Sequence, residues 1–517
     1  MSQAPWEGRI GILADPHLHA TGTAQAYGLG DTPLLRSLPE TLHSTRVFNE
    51  SEPALRAALN GMVAEGIKLV LIVGDLTDDG QAPNWQAAAE ILRDYEARAG
   101  MRFFLTPGNH DQWVTEDFAQ TKGFTAADGT DFTISSAQGG TNLSPAMQRL
   151  SYAQIYPIAA EFGYAPRPQD LLWETPFGTD PALAARVGTI DATPPVRTPD
   201  LSYLVEPEEG LWILSIDASA YWPDPASSKG GWVDGSSEGW AAVLQRKAWL
   251  LDWIADVSAR ATAQGKRLVT FSHYPVLDAL NGASGQMDAG GTRRKMPDAA
   301  QARTIAETGM GLHFSGHWHL NRSTSRLATP DTPALINIAT PSTVAYPAGW
   351  KAARFHGHTA DVTTHLLRDV AGHDLAQAAY RMAGAELPEA SDYQSFLRWH
   401  LTQLITERYL PRDWEAGFGN TLRTSTIHTL IETQGGTPCA QGRDISGVTA
   451  MIDLYLLERA GSLADIPQER LELYRDLKIP DAIGAAGRLL TTLQSHASGA
   501  PDAHFRIDLQ TGTLAAL

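Results

Sequence analysis

Residues 68–80 read KLVLIVGDLTDDG: Lys68 leads into five apolar residues that stop at Gly74, and Asp75, Thr77, Asp78 and Asp79 follow at once. So short a run, rich in aliphatic side chains and closed by glycine, is the pattern of a strand buried on both faces. Carboxylates directly after such a strand lie where open α/β sheets place their ligands. The same construction recurs on either side, at 9–17 (RIGILADPH), 102–111 (RFFLTPGNHD), 267–275 (RLVTFSHYP) and 312–319 (LHFSGHWH). Asp15 and His17, separated by Pro16, can point to one side of an extended segment. Asp75, Asn109, His110, His273, His317 and His319 complete a set of oxygen and imidazole donors suited to a hard or borderline divalent ion. A lone histidine at a strand end is more often structural than a ligand, but five strand ends carrying such residues in order form a specific pattern.

Between these strands, and one more at Leu211–Ile216, lie helical patterns at Pro53–Ala64, Asn84–Tyr95 and Trp240–Ile254. The last carries Trp240, Val243, Leu244, Leu251 and Ile254 at helical spacing. Alternating strand and helix predicts an α/β layered core, finished by antiparallel strands around Ala334–Ile338 and Phe355–Val362. From about Asp369 the period changes. Phe396, Leu397, Leu401, Leu404 and Ile405 share one helical face, and Val448, Met451, Ile452, Tyr455 and Leu456 share another, with Gly461 as a stop. The expected organisation is a catalytic unit over 1–368, interrupted by an insertion at about 112–200, followed by a mainly helical domain over 369–517. Trp113, Phe132, Tyr152, Tyr156, Tyr164, Trp173 and Phe177 make the insertion a packed unit rather than a linker.

A chain of 517 residues with 43% hydrophobic and 19% charged residues has the composition of a folded protein larger than one ordinary domain. Its formal charge of −18 opposes attraction to nucleic acid or an anionic membrane, while bound cations would leave one pocket attractive to a small anion. The single cysteine, Cys439, allows neither an intrachain disulfide nor a thiolate cluster. With no secretory or membrane-spanning pattern, the expectation is a cytoplasmic protein for which small anionic substrates remain open, with homo-oligomerisation through the helical tail as an option. His19 and His43 are read as surface or structural residues, and Arg293, Arg294 and Lys295 as a solvated basic run whose contact with a substrate phosphate is the minority reading.

In order, the blocks ADPH, GDLTD, GNHD, SHYP and GHWH resemble the calcineurin-like metallophosphoesterase superfamily over roughly Arg9 to Leu367. The resemblance implies a layered β-sandwich flanked by helices and two metal ions, Mn, Fe or Zn. One would be held by Asp15, His17 and His319, the other by Asn109, His273 and His317, with Asp75 bridging. Two such ions share a hydroxide that attacks phosphorus. The resemblance puts His110 outside the metal shell, beside the scissile phosphate, where it stabilises charge or protonates the leaving oxygen. It puts Asp78 as the carboxylate that orients His110 and keeps it cationic. Asp78 stands where purple acid phosphatases have a ligating tyrosine, and Asp79 where protein Ser/Thr phosphatases have an arginine. What remains, in GDLTDDGQAPNW, looks closest to bacterial class III cyclic nucleotide phosphodiesterases. The expected activity is hydrolysis of a phosphodiester, a cyclic nucleotide or another small diester. The alternatives are a phosphomonoesterase and a non-catalytic binding scaffold.

Overall fold

The computed structural model describes residues 5–517 except 22–23, 29, 31–33, 117, 127, 287–295, 389–391, 438–439 and 481. The basic run Arg293–Lys295 and Cys439 therefore lie outside the described residues.

The buried apolar runs pair into two sheets that face each other. The strands of the first are β1 (Gly8–Leu13), β2 (Leu69–Val73) and β3 (Arg102–Thr106). The second contains β4 (Leu172–Glu174), β5 (Tyr203–Glu208), β6 (Leu211–Ile216), β7 (Arg267–Ser272), β8 (Leu312–Ser315), β9 (Arg322–Arg326) and β10 (Leu335–Ala339). Back in the first sheet are β11 (Gly349–His356), β12 (Thr359–Leu366), β13 (His504–Asp508) and β14 (Leu514–Ala516). The strand orders are β14-β13-β12-β11-β1-β2-β3 and β9-β10-β8-β7-β6-β5-β4. β1, β2 and β3 run parallel, as do β6, β7, β8 and β10, so their carboxyl ends gather on one edge of the sandwich. Hydrogen bonds cross between the layers at that edge: Thr106 Oγ1 donates to Ile216 O (2.8 Å) and Ser215 Oγ to Leu105 O (3.0 Å).

Helices Ser51–Ala64 and Ala82–Ala99 contribute to the core shared with the first sheet, and Ala248–Ala263 and Ala299–Glu307 to a core against the second. The helix expected over Trp240–Ile254 is two helices, Trp240–Arg246 and Ala248–Ala263. At Lys247 the backbone leaves the helical region (φ −126°, ψ 46°), and the buried Nζ donates to Asp200 Oδ2 and to Asp217 O, both at 2.8 Å. A buried ammonium must find acceptors, and here satisfying them takes precedence over continuing the helix. The insertion is a packed unit with Trp113, Tyr152 and Tyr164 fully buried, and it also supplies β4, the edge strand of the second sheet.

After β12 the chain forms helices, among them Tyr393–Leu404, Gly447–Ala460 and Gly484–Ala497, whose apolar faces share a core with the first sheet. It then returns to the sheet, where β13 pairs antiparallel with β12 from Thr359↔Asp508 to Thr363↔His504. Phe505 and Ile507 point inward with no exposure, between exposed His504 and Arg506. Phe505→Ala should therefore cost about 3–5 kcal/mol of stability. A urea midpoint unchanged from the parent would mean that the last strands add nothing to the core. No described helix is long and apolar enough to cross a membrane.

Candidate metal centre and its cavity

Each candidate ligand follows a strand whose neighbours fix its position. Asp15 and His17 leave β1 side by side with the loop after β2, because Asp15 N donates to Gly74 O (3.2 Å) and His17 N to Asp75 O (2.9 Å). Asp75 Oδ1 accepts from His110 N (2.7 Å), and Asp15 Oδ1 accepts from His317 N (3.0 Å). The first, second, third and eighth strands are thus tied through the carboxylates themselves. Asp15, His17, Asp75, Asp79, His317 and His319 all have φ between 44° and 69°. Left-handed backbone costs of order 1–3 kcal/mol per non-glycine residue and clusters where function requires it. Among the described non-glycine residues, the only others with positive φ are Asn142 and Asn281. A Cβ on Gly108 would stand 2.2 Å from Asp75 Oδ1, so only glycine lets the loop after β3 close over that carboxylate.

Two groups of side chains result, Asp15–His17–His319 and Asp75–His273–His317, each with its ligand atoms within 4.8 Å of one another. In the first, His17 Nε2 lies 3.1 Å from His319 Nε2, and His319 Nε2 lies 3.5 Å from Asp15 Oδ1. In the second, His273 Nε2 is 3.1 Å from both Asp75 Oδ2 and Asn109 Oδ1 and 3.3 Å from His317 Nδ1. His17 Nε2 stands 3.7 Å from Asp75 Oδ2, which makes Asp75 the link between the groups. All seven residues expected as ligands are therefore brought together.

This donor set fits cations. Imidazole nitrogens and carboxylate oxygens of these side chains converge within 4.8 Å in each group, an arrangement that is costly unless a positive charge sits among them. His273 Nδ1 lies 3.0 Å from Val73 O, the usual second hydrogen bond of a ligating histidine, and this directs Nε2 at the site. Burial first, then Arg46, hold the His17 pKa well below the usual range, so it is the neutral, ligating form. At Asp75 burial would raise the pKa, but His273, His110 and His17 hold it well below the carboxylate range. Burial lowers the His273 pKa, yet the charge and hydrogen bond of Asp75 raise it to about 9, a measure of how strongly the pocket favours positive charge at Nε2.

The structure corrects the surroundings expected of His110. Asp78 does not orient it: Asp78 is buried between Arg36 Nη1 (2.5 Å) and Arg46 Nη2 (2.6 Å). The carboxylate against His110 Nδ1 is Asp79, which also pairs with Lys122 and with Arg149 Nη2 (2.7 Å). Nor is the imidazole kept cationic, because burial and then Arg46 lower its pKa to about 4. In the neutral ring we assign the proton to Nδ1, toward Asp79, which leaves Nε2 for the cavity. Asp79→Ala would leave Lys122 and Arg149 without this carboxylate, and breaking such buried pairs costs about 3–5 kcal/mol. Chemical denaturation should show that loss, and a variant as stable as the parent would mean those cations are neutralised elsewhere. Asp111, which follows His110, braces the loops: Oδ1 accepts from Thr77 N (2.9 Å) and Oδ2 from Gly108 N (2.9 Å). His19 and His43 are not ligands; they bond Leu34 O and Pro39 O.

The two groups open into a cavity of about 340 Å³. Its lining holds His17, Asp75, Asn109, His110, His317 and His319. It also holds Arg46 and, from the C-terminal helical region, Arg408, Arg412, Arg459 and Arg488. Sequence reading did not find these arginines as site residues, because nothing in their spacing shows which helix docks on which loop.

The family model for the calcineurin-like phosphoesterase matches residues 8–179 of this chain. That span takes in Asp15, His17, Asp75, Asn109 and His110 and ends before His273. No curated protein matches. Among solved structures, a dimetal phosphatase from Danio rerio is 12% identical over 70% of this chain and 96% of its own, with a TM-score of 0.32. The purple acid phosphatase PPD1 from yellow lupin (Lupinus luteus) seeds is 10% identical over 71% of this chain and 52% of its own, with a TM-score of 0.33.

Proposed function

We propose, from the calcineurin-like phosphoesterase domain that this chain carries, that it hydrolyses a small phosphodiester at the cavity where the two ligand groups meet. The observation that carries this reading is their convergence, Asp15–His17–His319 and Asp75–His273–His317, linked through Asp75 and faced by His110. Two divalent cations held there would activate water and neutralise the charge of a phosphate. The chain's own residues do the rest. Asp75 links the two groups and, through His110 N, fixes the loop that carries Asn109 and His110. His110 is anchored at Nδ1 by Asp79, so that its bare Nε2 is an acceptor that can take a proton from the attacking water. Arg46, held by Asp78, contributes a fixed positive charge to the cavity wall.

The diester reading is supported by the room beyond the ligands, since a wall from the helical region leaves space for a second ester substituent. Chelator-stripped protein restored with Mn, Fe(II) or Zn should cleave bis-p-nitrophenyl phosphate faster than p-nitrophenyl phosphate. The reverse order would make the enzyme a monoesterase. No turnover with any metal, in protein that still binds two ions, would favour the scaffold reading.

A further inference from the structure

The wall that the C-terminal region presents to the cavity carries four guanidinium groups, Arg412, Arg459 and Arg488 beside carboxylates and Arg408 bonded to a carbonyl. In a chain of net charge −18, Arg408, Arg412, Arg459 and Arg488 from three separate segments line the same space as His17, Asp75 and His317. Arg408 donates through Nη1 to His43 O (2.6 Å), and among the described residues no carboxylate pairs with it. Burial lowers its pKa, so an uncompensated charge is kept there at some cost to the fold.

Arg459 is locked to the ligand loop, with Nη1 donating to the carbonyl of Trp318, between His317 and His319. Its buried Nε has no hydrogen-bond partner, and the carboxylate beside it, Glu458 Oε1, stands 3.4 Å away. Burial raises the pKa of that glutamate, which weakens it as a counter-charge. Arg488 lies over the Trp414 ring at 4.5 Å and donates to Glu415 (2.9 Å), while Arg412 donates to its neighbour Asp413 (2.7 Å). The wall is rigid: Tyr409 stacks on Tyr455 with ring centroids 5.0 Å apart, and Trp414 Nε1 donates to Tyr455 OH at 3.2 Å. Arg408 and Tyr409 belong to a π-helical segment, Ile405–Tyr409, a backbone form frequent at functional sites.

Guanidinium groups present paired N–H donors that match phosphate oxygens. We infer that the substrate carries a second phosphate group, bound by these arginines while the scissile phosphate lies at the two ligand groups; this rests on the phosphoesterase reading of the same cavity. The tail is then part of the specificity apparatus of the site, and diesters lacking the extra phosphate are poor substrates.

The test compares two chromogenic diesters with the same scissile bond: the p-nitrophenyl ester of thymidine 5′-monophosphate, and that ester bearing a further 3′-phosphate. Water cleaves the same P–O bond in both and releases p-nitrophenolate. Metal-loaded full-length protein should show at least a tenfold higher kcat/KM for the 3′-phosphorylated ester. The Arg412→Gln/Arg488→Gln variant, checked for an unchanged melting temperature, should lose that preference. Equal kcat/KM values, or a preference that survives in the variant, would overturn the inference. Calorimetry with thymidine 3′,5′-bisphosphate and thymidine 5′-monophosphate reads the same discrimination without turnover. Tighter binding of the bisphosphate by tenfold, lost in the variant, sustains the second-phosphate site even if neither ester is cleaved and the phosphoesterase reading fails. Equal affinities reject it.

Discussion

Asp75→Asn is expected to lower kcat/KM for bis-p-nitrophenyl phosphate by about 10³-fold or more while leaving the fold intact. Asp75 is the residue that reaches both ligand groups, with Oδ2 at 3.1 Å from His273 Nε2 and 3.7 Å from His17 Nε2. The substitution keeps the shape and an oxygen for His110 N but removes the negative charge that the His273 imidazole and a bound cation both require. Cations at such sites supply several kcal/mol of transition-state stabilisation, and at about 1.4 kcal/mol per tenfold their loss or misplacement gives the stated drop. Asp75 is fully buried beside three histidines and pairs with His273, so without metal the variant should still unfold cooperatively but at a lower melting temperature, because one partner of a buried pair is lost. An active Asp75→Asn enzyme would mean that the two groups work independently.

His110→Ala should lower kcat by about 10² to 10⁴, the range for losing a positioned proton donor or acceptor, with both metal sites still filled. The ring stands 5.0 Å from that of His17, yet His110 belongs to neither ligand group. Metal content measured by mass spectrometry should therefore match the parent. Loss of an ion in this variant would reassign His110 as a ligand, and unchanged kcat would remove it from the chemistry.

The strand ends were legible because buried strands and metal-ligand residues both leave short, local signatures. Asp15, His17, Asp75, Asn109, His273, His317 and His319 could each be placed from the few residues before them. What escaped depends on chain direction after the strand or on contacts distant in sequence. Asp78 and Asp79 are adjacent, and which one faces His110 is decided by the left-handed turn at Asp79 (φ 61°), which a pair of aspartates does not announce. The break at Lys247 depends on Asp200 and Asp217, tens of residues upstream. The final strand did leave a trace, since Phe505 and Ile507 alternate with His504 and Arg506, but its partner, β12, lies more than a hundred residues earlier. The arginine wall left none: helix periodicity identifies an apolar face, and only the docked structure shows that Arg408 bonds the loop at His43 and Arg459 the loop at Trp318.

The central claim is a pair of cations at linked sites that together make the chain a hydrolase. Its most direct test is a titration of chelator-stripped, full-length protein with Mn(II), following bound ion and bis-p-nitrophenyl phosphate hydrolysis in the same samples. The account predicts two ions per chain, a rate that reaches its plateau only as the second is bound, and neither behaviour in Asp75→Asn. Full activity in excess chelator, or a plateau reached with a single ion, would contradict it.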